Sequence, residues 1–76
     1  MSPVLTEIDQ ALAAHDAAHR ARPVAIYLGE RKLTRLTLDA AASPLPHLDT
    51  DAGRPRTYRG LELLRDEVNL DGVRVI

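Results

Sequence analysis

Two histidines stand four residues apart in the segment His15-Asp16-Ala17-Ala18-His19. On a helix this spacing places both imidazoles on one face, where they could grip one metal ion between neighbouring turns. His47 or a carboxylate within residues 43–57 would have to supply a third ligand. The alternative is a polar end to the helical stripe, where a cationic histidine suits the helix dipole. We favour this alternative and expect no cofactor, with His15 and His19 as the candidates if a metal does bind.

A second group of residues that could bind a ligand is basic and lies in the second half of the chain. Arg54, Arg56, Arg59 and Arg65 surround Tyr58 in the sequence. Arginines beside a stackable ring can hold a nucleic-acid strand or a phosphate, and such binding weakens steeply with added salt. The competing interpretation, which we favour, places Tyr58 in the core and pairs the arginines with Glu62, Asp66 or Glu67 on a solvated face.

The remaining composition argues against an enzyme. The 76 residues include no cysteine, and we find no glycine-rich phosphate loop, serine-elbow motif or paired-carboxylate motif. The segment Asp49-Thr50-Asp51-Ala52-Gly53 spaces two carboxylates as a calcium loop does, but the other ligands are missing, so we interpret it as a solvated turn. A net charge of −1 also argues against a domain that coats nucleic acid.

The elements that must position these residues are organised around the short apolar stretch 23–29. Its β-branched and aromatic residues, bounded by Pro23 and Gly29, predict a central strand over 23–28 that is buried on both faces. Before it, Ser2 and Pro3 form a helix start with a capping hydroxyl. An apolar stripe then predicts an amphipathic helix over 4–20.

The middle of the chain is less regular. Leu33, Leu36 and Ala40 share one helical face and predict a second helix over 30–42, although the alternation of Leu36 and Leu38 leaves a strand as an alternative. Three of the five prolines fall in residues 43–56. We therefore expect a long Pro-rich loop, or mobile arm, over 43–57.

The pattern of residues 57–76 predicts a C-terminal β-hairpin. Asp71-Gly72 is a strong turn signal, and the alternation that follows predicts a strand over 73–76. We expect the other strand over 58–65, with a helix over 61–68 as the alternative. The prediction is therefore one small α+β domain, 1–76, with one sheet and the helices on one face. Its last strand could leave Val73, Val75 and Ile76 at an open edge, and such edges invite strand addition or dimerisation.

The order of these elements resembles that of small phage or prophage proteins. Residues 23–66 also show a faint resemblance to the C-terminal part of tailed-phage major capsid proteins, where an apolar strand and a helix precede an aromatic-x-Gly-apolar-Pro-apolar segment. Tyr58-Arg59-Gly60-Leu61 carries that match, whereas Glu62 stands where the capsid pattern usually has proline. The resemblance implies a virion-associated or prophage-encoded assembly role.

We therefore expect a non-enzymatic protein–protein interaction or assembly module. Its partner would be a second copy of the chain, giving a homo-oligomer, or a phage structural protein. The alternatives are a small nucleic-acid-binding or regulatory protein that uses the arginines, and a metal-binding helix. The sequence shows no signal peptide and no apolar run long enough for a membrane span, so we expect a cytoplasmic protein, or a virion component if it is phage-encoded.

Overall fold

The computed structural model describes residues 2–19 and 21–76, and within them the chain forms two helices and five strands. The α+β prediction is thereby confirmed. The elements in chain order are α1 Pro3–His19, β1 Ala25–Gly29, α2 Glu30–Ala42, β2 Leu48–Asp51, β3 Arg54–Tyr58, β4 Leu61–Asp66 and β5 Val73–Val75.

The five strands form one mixed sheet in the order β2-β3-β4-β1-β5. β1 lies inside the sheet, where it pairs in parallel with β4 and antiparallel with β5. The predicted strand 23–28 is shifted, because β1 begins at Ala25 and ends at Gly29. Val24 was expected in the interior, but it is 75% exposed and precedes the strand.

The prediction of a long loop over 43–57 is wrong, because β2 and most of β3 lie there. Two-residue turns at Ala52-Gly53 and Arg59-Gly60 connect β2 to β3 and β3 to β4, and all four residues have positive φ. This conformation matches the twist of paired strands. Pro55 is tolerated because β3 pairs with β4 only at Thr57 and Tyr58, so its missing N–H breaks no bond between these strands.

The predicted C-terminal hairpin is also wrong. The strand expected over 58–65 is divided, since Tyr58 ends β3 and β4 begins at Leu61 after a turn. The helix alternative over 61–68 is wrong as well, because β4 runs to Asp66. β4 and β5 do not pair with each other; β1 lies between them.

The core lies on one side of β1. Ile26 and Leu28 are fully buried on the same face of this strand, and they cluster with Ile8 of α1 and Leu36 of α2. Half-buried side chains complete the cluster and include Leu12, Leu33, Leu61, Leu63, Val73 and Val75. Both helices therefore pack on the face to which Ile26 and Leu28 point.

The buried Ser2 hydroxyl joins the two helices. It donates a hydrogen bond of 2.9 Å to Oδ2 of Asp39 in α2. The sequence predicts this hydroxyl as an N-terminal cap, which would accept from a helical N–H. The bond to Asp39 runs in the other direction, because the hydroxyl donates to a charged acceptor. The Ser2 carbonyl instead accepts from the Thr6 N–H at 3.2 Å.

Gly29 fixes the turn that leads into β5. A Cβ atom at this position would lie 2.2 Å from the carbonyl carbon and oxygen of Leu70. This approach allows the Gly29 N–H to donate to Gly72 at 2.9 Å and the Arg31 N–H to donate to Leu70 at 3.0 Å. The Leu70 carbonyl thus satisfies a free donor at the start of α2 and holds the 69–72 turn in place.

Candidate functional site: the free edge of the sheet

β5 is an edge strand whose pairing with β1 is defined residue by residue. Ile76 donates to the Ala25 carbonyl at 3.0 Å, and Ala25 donates to the Ile76 carbonyl at 3.2 Å. Four residues earlier, the Gly72 carbonyl accepts from Gly29. Because hydrogen-bonded pairs alternate along an antiparallel ladder, Arg74, opposite Tyr27, is the bonded residue between them.

The same alternation points the backbone of Val73 and Val75 away from β1. Their N–H and C=O groups face the free edge of the sheet, where no backbone group of the described residues pairs with them. An edge of this kind is a template for another strand. The predicted interface residues Val73 and Val75 therefore both direct their backbone groups to the free edge. Ile76 directs its backbone inward, and its side chain is partly exposed.

A groove of about 310 Å³ runs along this edge between α1 and β5. Its lining consists of Ala11, Ala14, His15, Val73, Arg74 and Val75. Arg74 points to the opposite face of the strand from the two valines. Because residues of both faces line the groove, the groove lies along the edge of the sheet. The small side chains of α1 leave room there for the side chains of an added strand. Sequence reasoning missed Ala11, Ala14 and Arg74; the recurrence of small residues along one face of α1 was the available signal.

Arg74 lies on the face of the sheet opposite the core. Its guanidinium lies over the ring of Tyr27, 4.8 Å from the ring centroid, in a cation–π contact. Hydrogen bonds from the amides of Asn69 and Val68 are the main causes that lower the pKa of Asp66, and the positive charge of Arg74 lowers it further. Within the described part of the chain, Arg74 forms no ion pair and is exposed.

The opposite edge of the sheet is protected against such pairing. β2 exposes Asp49, Thr50 and Asp51, and its ladder with β3 is irregular between Asp49 and Thr50. Charged side chains and bulges are the devices by which natural sheets protect their edges. β5 has one charge and two valines, so β5 is the edge suited to another strand.

The structure separates the residues of the predicted arginine patch. Arg56 pairs with Asp51 at 3.4 Å, and both side chains are exposed. Arg59 pairs with Asp9 of α1 at 3.4 Å and lies 5.3 Å from the ring centroid of Tyr58. Tyr58 itself is only 3% exposed, so its ring belongs to the core and has little surface for stacking a base.

The Tyr58 hydroxyl takes part in this arrangement by donating to Oδ1 of Asp9 at 2.8 Å. Burial is the main cause that raises the pKa of Tyr58, and the bond to Asp9 raises it further. This contact ties β3 to α1, and we assign it a structural role.

Arg54 and Arg65 have no ion-pair partner among the residues that the structure describes. They line one cleft of about 250 Å³ between α2 and the sheet, together with Glu30, Leu33, Thr34, Thr37 and Pro55. Glu30 contributes a negative charge to this cleft. Nucleic-acid binding by Arg54, Arg56, Tyr58 and Arg59 stays a prediction, and it would depend mainly on Arg54.

The two histidines proposed for a metal both belong to α1, and His15 lines the groove beside β5. The side chain of His19 lies outside the described residues, so the pair remains a prediction. Residues 2–18 and 21–76, whose side chains are described, contain no cluster of three or more His, Cys, Asp or Glu side chains able to bind a metal.

Comparisons of the chain with protein-family models, with curated proteins and with solved structures found no match. In the part of the chain that the structure describes, neither helix is long and apolar enough to cross a membrane.

Proposed function

We propose that this protein is a non-enzymatic interaction module that binds an extended segment of a partner protein along β5. The observation that carries the proposal is the outward direction of the backbone groups of Val73 and Val75, which the pairing of Ala25 with Ile76 determines. An added strand would pair with these groups and place alternate side chains against α1. The open groove beside Ala11 and Ala14 supports this geometry.

The size of the edge sets the expected affinity. Each backbone hydrogen bond contributes about 0.5–1.5 kcal/mol net, and the two valines offer four backbone groups. Loss of translational and rotational freedom opposes this gain. Burial of the peptide's two valine side chains beside α1 must offset this cost, at about 1.5–3 kcal/mol for each fully buried side chain. We therefore expect a short peptide to bind with a dissociation constant of about 1 mM, which corresponds to about −4 kcal/mol. A longer partner that also fills the groove would bind more tightly.

The test is a titration of the ¹⁵N-labelled protein with the peptide acetyl-Thr-Val-Thr-Val-Thr-amide, followed by nuclear magnetic resonance. We expect the amide signals of Val73 and Val75 to shift and their hydrogen exchange to slow. The amides of Arg74 and Ile76 should change little, because they already bond to β1. Absence of any change at β5 at millimolar peptide would refute the proposal.

A matched control distinguishes strand pairing from nonspecific binding by the peptide side chains. The same peptide with both valine nitrogens methylated keeps its side chains but loses the donors that would bond to the edge. We expect it to leave the Val73 and Val75 signals unshifted. Equal shifts with the methylated peptide would show that backbone pairing is not the mode of binding.

The resemblance of residues 23–66 to phage capsid proteins supports a structural protein of a phage particle as the kind of partner. An assembly role of this kind would also suit a weak, repeated contact, because multivalency raises the overall affinity. The position of the gene provides the test. Adjacency to portal, capsid-protease or tail genes would support the role, and a setting among unrelated metabolic genes would contradict it.

A further inference from the structure

The two faces of β5 present different chemistry to an incoming strand. Successive side chains of a strand point to opposite faces, so the partner residues beside Val73 and Val75 would point towards α1. There they would meet Ala11 and Ala14 in the groove. The partner residue between them would point to the other face and lie beside Arg74.

A second copy of this chain fits this edge poorly. In the two-fold antiparallel arrangement that bonds both valines, Val73 of each copy opposes Val75 of the other. Arg74 would then face Arg74 across the axis, in a pair without hydrogen bonds whose Cα atoms are about 4.5 Å apart. Like charges directly opposite each other destabilise a sheet.

From these observations we infer that the partner strand has the pattern apolar-acidic-apolar and belongs to another protein. Its carboxylate pairs with Arg74 on the open face, and its two apolar side chains enter the groove beside α1. Arg74 suits this role because it is exposed, held over Tyr27, and without an ion pair among the described residues. This inference rests on the proposed function, since it names the partner of the same edge.

The experiment compares two peptides that differ at one position, acetyl-Thr-Val-Glu-Val-Thr-amide and acetyl-Thr-Val-Lys-Val-Thr-amide. We expect the glutamate peptide to bind about threefold to tenfold more tightly at low salt, because one opposite-charge pair replaces one like-charge pair. Rising salt should reduce the difference, since exposed charges are screened. Binding is measured from the amide shifts of Val73 and Val75.

Two variants at Arg74 test whether this side chain causes the preference. Arg74→Glu should reverse it, so that the lysine peptide binds more tightly, and Arg74→Gln should bring the two affinities within about twofold of each other. Well-dispersed amide spectra for both variants will establish that they are folded. Persistence of the glutamate preference in Arg74→Gln would overturn the role of Arg74.

The outcomes distinguish this inference from the proposed function. Equal binding of both peptides at Val73 and Val75 would overturn the acidic preference while leaving strand addition intact. Absence of binding by either peptide would overturn both. A shift of the two valine amides that grows with protein concentration, without peptide, would show self-pairing and overturn the assignment to another protein.

Discussion

Replacing Gly29 by alanine should destabilise the protein because of one backbone contact. The added Cβ would lie 2.2 Å from backbone atoms of Leu70, which cannot rotate away as a flexible side chain could. The 69–72 turn must therefore move. Its displacement would weaken the hydrogen bonds that the N–H groups of Gly29 and Arg31 donate to the turn.

The magnitude follows from these contacts. Overpacking costs about 1–3 kcal/mol, and each weakened hydrogen bond adds about 1 kcal/mol, so we expect a loss of about 3 kcal/mol or more. A chain of 76 residues has a total stability of about 4–11 kcal/mol. Gly29→Ala should therefore remove a large share of it and also displace β5, which follows the turn.

Gly60→Ala provides the matched control. Gly60 has a φ of 80°, and a Cβ there would meet no heavy atom within 4 Å. Only the left-handed conformation would then be penalised, by about 1–2 kcal/mol. Gly29 has a φ of −59°, which alanine adopts without strain, so its expected loss comes from the contact alone.

The assay is urea unfolding followed by circular dichroism, with a slope of about 1 kcal/mol/M for a small domain. The midpoint of Gly29→Ala should fall by about 3 M and that of Gly60→Ala by about 1–2 M. A Gly29→Ala variant that is at least as stable as Gly60→Ala would refute the close approach between Gly29 and the 69–72 turn.

Three further predictions concern the polar contacts of the fold. Tyr58→Phe removes the hydrogen bond to Asp9 and should lower the free energy of unfolding by about 1 kcal/mol, whereas Tyr27→Phe, whose hydroxyl bonds to no described residue, should change it by less than about 0.5 kcal/mol. The raised pKa of Tyr58 means that the folded state favours the neutral phenol. Its contribution to stability is therefore present below about pH 10 and lost as pH rises through the raised pKa. The urea midpoints measured at neutral and at strongly alkaline pH should therefore differ less for Tyr58→Phe than for the unchanged protein. The pKa of Asp66 is lowered by two backbone N–H donors, so its contribution is present above about pH 4 and lost as pH falls through the lowered pKa; Asp66→Asn should flatten the acid side of the stability profile, and an unchanged profile would contradict this role.

The helices and β1 could be predicted because their signals are local. The spacing of Leu33 and Leu36 predicts the helical face of α2, whose observed bounds of Glu30–Ala42 are those predicted. The first helix begins one residue earlier than predicted, and its predicted end at residue 20 lies outside the described residues. The apolar run ending at Gly29 predicts β1, with a shift of two residues at its start and one at its end.

The meander β2-β3-β4 could not be predicted, because its signals conflict. Prolines normally exclude strands, yet Pro55 fits a part of β3 that lies beyond its pairing with β4. Its turns place Ala52 and Arg59 at positive φ, where asparagine or aspartate would have been recognisable. The pairing of Arg59 with Asp9 and of Tyr58 with α1 also depends on this meander, and so the arginines could not be placed.

The candidate site was predictable only in outline. The alternation of Val73, Arg74 and Val75 predicts a strand, whereas its place at an edge follows from the strand order of the folded sheet. Which backbone groups point outward depends on the register with Ala25 and Tyr27, which is a property of the folded sheet. A shift of one residue would have directed Arg74 to the edge instead.

Amide hydrogen exchange of the free, dilute protein tests the central claim most directly. If the backbone of Val73 and Val75 faces the open edge, their amides should exchange much faster than those of Arg74 and Ile76, which bond to β1. Slow exchange at both valines, with fast exchange at Arg74, would contradict the register and remove the basis for strand addition at this edge.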